Sequence, residues 1–163
     1  MIETRLGNGA TFSTDRAYRY HLSRSLDAYW LPPIAWVMLN PSTADETTND
    51  PTIRKVLGFS TRWGFGRVEV YNLFAHRSTD PEELEAVEDP IGDNLLYLRA
   101  IPEEIEVIAA WGAWLPKGHD DYLNEVWKVL LARKTCCIGR TGNGEPRHPV
   151  RAGYDSNRER WTR

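Results

Sequence analysis

The chain has 163 residues, 41% of them hydrophobic and 26% charged, which suits one globular domain with a sizeable core. Its net charge of −3 argues against a uniformly basic nucleic-acid binder, and no apolar run approaches the roughly 20 residues of a membrane span. The only cysteines, Cys136 and Cys137, are adjacent, so they read as buried strand residues rather than as a disulfide or a metal site.

The opening stretch MIETRLGNGATFS lacks the apolar segment of a secretory signal, and with reduced cysteines this points to a cytoplasmic location. Gly7-Asn8-Gly9 reads as a turn, and residues 16–26 (RAYRYHLSRSL) alternate loosely enough for one or two strands of a leading hairpin. Residues 34–39 (IAWVML) are almost continuously apolar, the pattern of a strand buried on both faces of a parallel sheet. The run stops at Asn40-Pro41 and gives way to the polar stretch STADETTND.

A helix is expected over 52–63, with Asp50 or Asn49 as its cap, Pro51 in the first turn and Ile53, Val56 and Leu57 as its apolar stripe. Residues 68–74 form a second strand, 78–84 carry the capping signature of a short helix, and a further helix lies around 91–100. A third strand over 106–111 ends at Gly112. Residues 120–133 space Leu123, Val126, Trp127, Leu130 and Leu131 as an amphipathic helix. A fourth strand, 135–139, runs into the polar loop RTGNGEPRHPVR.

Strands alternating with helices predict an α/β fold: a three-layer α/β/α sandwich around a central, mainly parallel four-stranded sheet, preceded by an N-terminal β-hairpin. One domain spans 1–163, with its core at about 16–150 and a basic C-terminal segment at 151–163. From residue 133 to 163 there are eight Arg/Lys against three Asp/Glu, a footprint for phosphate or a solvated tail.

In such sheets ligands bind beyond the carboxyl ends of the strands. The first exit delivers Asn40, Pro41, Ser42, Thr43 and Asp45, and the second Asn72 and Phe74, then His76 and Arg77. The third brings Trp111 and Trp114, and the fourth Arg140, Arg147 and His148. Plainer roles compete at each position. Asn40, Ser42 and Thr43 suit a capped turn, Arg147-His148-Pro149 an ordinary turn, and Asp45, Glu46 and Asp50 helix caps rather than ligands for a hard cation.

Amides beside aromatics fit a planar, uncharged, hydrogen-bonding ligand: Asn offers a paired donor and acceptor to a nucleobase edge, and an aromatic face stacks on the ring. No GxxxxGK[ST] or GxGxxG phosphate motif is present, nor a GxSxG elbow, HExxH or paired CxxC. No cofactor is implied. The expected partners are a nucleobase, a nucleotide or DNA, with no membrane.

The segments MLNPSTAD, NDPTIRK, WGFG, VYNLFAHRSTDP, AAWGAW and GEPRHP, over roughly residues 18–150, resemble a bacterial and phage family known as a domain of unknown function. More distantly, LNPS at the first exit, VYNL in the second strand, Trp-Gly after the third and His-Pro after the fourth resemble the uracil-DNA glycosylase superfamily. That resemblance implies a three-layer α/β domain with a four-stranded parallel sheet. It also implies that Asn40 positions the attacking water, Asn72 reads the base edge and His148 stabilises the departing base. Asp45 either helps activate that water or caps the following turn. Pro41, Ser42, Thr43, Phe74, Trp111 and Arg147 complete the expected substrate contacts. Two departures from the superfamily stand out: Ser42 replaces a glycine, and Val150-Arg151 follow Pro149 in place of a small residue and an apolar wedge. The activity this implies is hydrolysis of an N-glycosidic bond, with a non-catalytic nucleic-acid or protein-binding module as the alternative. Metal-dependent nucleotide hydrolysis through Asp45 and Asp50 is a third reading.

Overall fold

The computed structural model describes residues 7–163; the first six residues, part of the stretch read for a secretory signal, lie outside it. Four strands form the centre of one mixed sheet: β3 (Pro33–Met38), β4 (Arg67–Asn72), β5 (Glu106–Ala109) and β6 (Thr135–Cys137). They are parallel and lie in the order β4-β3-β5-β6, with Met38 beside Asn72, Val37 beside Ala109 and Ala109 beside Cys137.

The unbroken apolar character of β3 has a direct cause. Ile34, Trp36 and Met38 enter one core, whereas Ala35, Val37 and Leu39 enter the other. The first core is covered by α1 (Pro51–Arg62), which contributes Ile53, Val56 and Phe59. The opposite core is covered by α3 (Asn94–Arg99) and α4 (Asp120–Leu131), which contribute Leu98, Leu123, Val126, Trp127 and Leu130. A short helix, α2 (Glu83–Ala86), follows β4. Asp50 caps α1, its carboxylate accepting from Ile53 N–H at 2.8 Å, with Pro51 opening the first turn. Trp36 is fully buried, stacks on Trp63 at 5.6 Å and donates its indole N–H to Ser60 Oγ at 3.0 Å. Its truncation to Ala would cost about 3–5 kcal/mol.

Among the described residues the sheet has seven strands rather than the four expected, because the expected hairpin joins it and a further strand follows β6. On one side β1 (Gly9–Phe12) and β2 (Arg19–Ser25) form a hairpin, and β2 pairs antiparallel with β4. On the other, β7 (Glu159–Arg160) pairs antiparallel with β6. Both additions are weakly signalled because they are not apolar: β2 buries Arg19, Ser23 and Arg24, and β7 is two exposed charged residues. The hairpin also starts earlier than the composition suggests. Gly9 belongs to β1, and the turn lies at 13–18, closed by Ser13 N–H to the Tyr18 carbonyl at 3.1 Å, with Arg16 at φ 60°. No helix among the described residues is long and apolar enough to cross a membrane. Both cysteines are free and buried.

Candidate functional site

A cavity of about 510 Å³ opens where β4, β3 and β5 end, on the side of the sheet that carries α1. Its position follows from topology, since parallel strands deliver their carboxyl ends to one rim. Asn40, Ser42, Asn72, Trp111 and His148 all line it, so the four exits converge.

Asn72 ends β4 and is 1% exposed. Neither its amide nitrogen nor its amide oxygen has a hydrogen-bond partner among the described residues. The large majority of buried side-chain polar atoms are paired, so an amide orphaned at both ends needs a reason. The backbone carrying it is held firmly: Asn94 Nδ2 donates to the Asn72 carbonyl at 2.8 Å and to the Leu73 carbonyl at 3.0 Å, and Tyr122 Oη donates to the latter at 2.5 Å.

Asn40 is positioned differently. Its Nδ2 donates to the carbonyl of Ser78 at 3.0 Å and that of Pro41 at 3.2 Å, while Ser78 N–H returns to the Pro41 carbonyl at 2.9 Å. With the nitrogen held, Oδ1 is the group left to accept from a water or a ligand.

His148 sits against Gly112, where a Cβ would lie 3.6 Å from the His148 Cβ; Gly112 also has φ +87°, a conformation that favours glycine. His148 Nδ1 accepts the Val150 N–H at 3.4 Å, which places the ring proton on Nε2. Burial, reinforced by the Arg151 charge and opposed by Asp50, lowers its pKa below the usual imidazole value. The result is a neutral imidazole whose Nε2–H is a donor. Trp111 contributes an edge of the wall. Its indole N–H donates to Glu145 Oε2 at 2.8 Å, and its ring packs on Trp127 and Trp161 at 5.2 and 5.3 Å. It is therefore a core pillar as well as a cavity residue. Trp114, at 37% exposure, supplies an accessible aromatic face to the same cavity.

Other expected residues lie elsewhere. Asp45 Oδ1 accepts from the N–H groups of Thr47 and Thr48 at 2.9 and 2.8 Å, bonds that lower its pKa, and it serves the turn rather than the cavity wall. Thr43 borders a separate shallow depression beside Arg77 and Glu83. Pro41 is buried beneath the loop and contributes its carbonyl to Ser78 and Asn40. Phe74 is wholly buried in the α4-side core, packed on His119 and Tyr122 at 5.3 and 5.7 Å. Arg147 lies along Gly139 and donates to the Arg140 carbonyl at 3.4 Å.

The polar stretch after β3 is held chiefly by arginines of the hairpin. Arg24 donates Nε to Asn49 Oδ1 at 2.8 Å and Nη2 to the Asp45 and Thr48 carbonyls. Arg19 Nη1 donates to the Ala44 carbonyl at 2.8 Å, and Arg16 forks onto the Glu46 carboxylate at 2.8 and 3.0 Å. Arg19 and residues 78–82 also line the cavity; the sequence marks 78–82 only as the start of a short helix, and Arg19 not at all. Asp50 and Asn49 were readable as caps, but nothing in the chain order announces that β2 lies beside β4.

The basic terminus is largely engaged within the molecule. Arg158 pairs with Glu106 at 2.9 Å, Arg163 with Glu145 at 2.9 Å and Arg140 with Glu159 at 3.8 Å.

The family described as "Protein of unknown function (DUF1643)" matches residues 19–150, a stretch that contains all the cavity residues named above. No curated protein and no solved structure matches the chain.

Proposed function

The chain belongs to the DUF1643 family, and we propose that it binds a nucleobase in this cavity and hydrolyses the N-glycosidic bond that holds the base to its sugar. The observation that carries this reading is the orphaned amide of Asn72 on the cavity wall. An Asn side chain presents a donor and an acceptor side by side, the pattern that pairs with a nucleobase edge. In the ligand-free state the amide is covered. Met38, its neighbour in register and also on the wall, is an unbranched side chain suited to give way as a base enters. Trp114 and the edge of Trp111 supply the aromatic surface for the ring.

The remaining groups suit the chemistry. Asn40 Oδ1 accepts from a water placed for attack at the anomeric carbon. As the new C–O bond forms, the C–N bond breaks and its electron pair leaves with the base. The neutral Nε2–H of His148 donates to the charge developing on the base, and the proton released by the water ends on the departing base or on solvent. Placed donors of this kind stabilise a developing anion in a site that excludes water. The resemblance to the uracil-DNA glycosylase superfamily supports the assignment of Asn40, Asn72 and His148, and the four parallel central strands are a feature that resemblance implies.

The test is base release under single-turnover conditions, with uracil-, hypoxanthine- and thymine-containing nucleotides and oligonucleotides as substrates. Release by the wild type, slowed roughly 10²–10³-fold in His148→Ala, supports hydrolysis. Saturable binding without release of any base would instead identify a non-catalytic binding module.

A further inference from the structure

We propose that Arg19 forms an anion subsite inside the cavity and takes the phosphate of a mononucleotide; this names the substrate class for the glycosidic reading above and rests on it. Arg19 lines the cavity at 2% exposure. Its guanidinium makes one hydrogen bond, from Nη1 to the Ala44 carbonyl, and Nε has no partner among the described residues. It belongs to none of the ion pairs among those residues. A buried charge is normally paired, because removing it from water is costly, so an unpaired guanidinium on a cavity wall is a site awaiting an anion.

The backbone places it there deliberately. Thr11 opposes His21 while Phe12 opposes Arg19, so Tyr20 is an extra residue in β2 and forms a bulge. Leu22 faces the α1-side core, and simple alternation would send Tyr20 to that side. Instead Tyr20 stacks on Tyr97 of α3 at 4.6 Å, on the opposite face, and Arg19 reaches Ala44, a member of the α1-side core. The bulge thus turns Arg19 to the side of the sheet that carries Asn72 and the cavity.

The local charge reinforces the subsite. Arg24 and Arg77 lie close enough to oppose the Arg19 charge, and neither forms an ion pair among the described residues. Burial brings the Arg19 pKa down to about 10, which leaves it charged at neutral pH. Asp50 is the carboxylate that favours its charge, and that group is occupied in capping α1. A guanidinium with free donors suits a phosphate oxygen.

The rim decides between a mononucleotide and a polymer. Asp80 and Glu82 are exposed on the cavity wall, where the successive phosphates of a strand would meet them. Of the C-terminal arginines, Arg140, Arg158 and Arg163 are paired with Glu159, Glu106 and Glu145, which leaves Arg151, exposed and close enough to act on His148, as the one cation of that segment beside the cavity outside any ion pair among the described residues. One phosphate delivered inward to Arg19 meets a single carboxylate, Asp50, which is held by the α1 cap, and about 510 Å³ is within the range of small-molecule sites.

Calorimetric titration of the full chain tests this with the four 2′-deoxynucleoside 5′-monophosphates plus deoxyuridine monophosphate, the matching nucleosides, inorganic phosphate and a single-stranded oligonucleotide without terminal phosphates. At least one monophosphate should bind roughly 10–100-fold more tightly than its nucleoside, the worth of one charged hydrogen bond, and inorganic phosphate should compete. Arg19→Gln should abolish that advantage and Arg19→Lys recover part of it. Should the variants not fold, the wild-type comparison decides by itself. Equal affinity for nucleoside and monophosphate overturns the subsite and leaves base binding intact. Phosphate binding with no dependence on a base keeps the subsite and overturns the nucleobase reading. An oligonucleotide that outbinds every monophosphate overturns the assignment to mononucleotides.

Discussion

Replacing Asn72 with Leu keeps the branching of the side chain at a larger volume and deletes a buried donor and acceptor that have no partner among the described residues. Each unpaired buried polar group costs about 1–3 kcal/mol. The branched Leu recovers less than the full sum, because overpacking beside Met38 and the α1 stripe offsets some of the gain. The net expectation is a ligand-free protein more stable by about 1–3 kcal/mol. For a chain of this length that corresponds to a melting temperature higher by roughly 2–12 °C. Urea unfolding monitored by tryptophan fluorescence measures it directly, and the midpoint should rise with the m-value unchanged. The same variant should lose base binding. A gain in stability coupled to a loss of binding is what a group kept for a ligand requires, and few structural residues would show it. A loss of more than about 1 kcal/mol at constant m would show instead that the amide is satisfied in the free protein.

His148 makes stability depend on pH. Its pKa is lowered in the fold, so below the usual value of about 6.5 the unfolded chain binds a proton that the native state refuses, and stability falls as pH drops through that window. In His148→Asn this contribution is absent, so between about pH 7 and pH 5 the urea midpoint of the wild type should fall further than that of the variant; an equal or larger fall in the variant contradicts the assignment. Asn40→Ala removes the tie to Ser78 at a cost of about 1 kcal/mol, or roughly 2–4 °C in melting temperature, and should slow base release roughly 10²–10³-fold. An unfolded Asn40→Ala would make this residue a structural turn and nothing more. Arg24→Met strands the carbonyls of Asp45 and Thr48 and should cost about 2–5 kcal/mol, with new proteolytic cleavage near residues 45–49; a change below about 1 kcal/mol would show that the hairpin does not latch the loop.

Much of the architecture was legible because burial leaves a periodic trace. The four central strands stand out as apolar runs buried on both faces, and α1 and α4 as amphipathic stripes with readable ends. The positions of Asn40, Asn72 and His148 follow once strand exits are aligned, since parallel strands bring their ends together. What escaped is whatever depends on a partner distant in sequence. Arg19 and Arg24 are arginines in a short, loosely alternating run, and only the pairing of β2 with β4 shows them to be buried. Phe74 stands two residues after Asn72, where simple alternation continues the same face, but the chain has left the sheet and its ring enters the α4-side core. Asp45 and Arg147 lie close to an exit in sequence, yet local hydrogen bonds direct both to the backbone. The paired charges of the C-terminal segment were equally hidden, because net charge counts residues and not their neighbours.

The most direct test of nucleobase recognition is the side-chain amide resonance of Asn72 in ¹⁵N-labelled protein, identified by its disappearance in Asn72→Leu. Titration with uracil, thymine, cytosine, adenine, guanine and hypoxanthine should move that resonance downfield and saturably with one base or one pair of related bases, as the orphaned donor acquires an acceptor. If none of the six shifts it while the protein remains folded, the cavity does not read a base through Asn72.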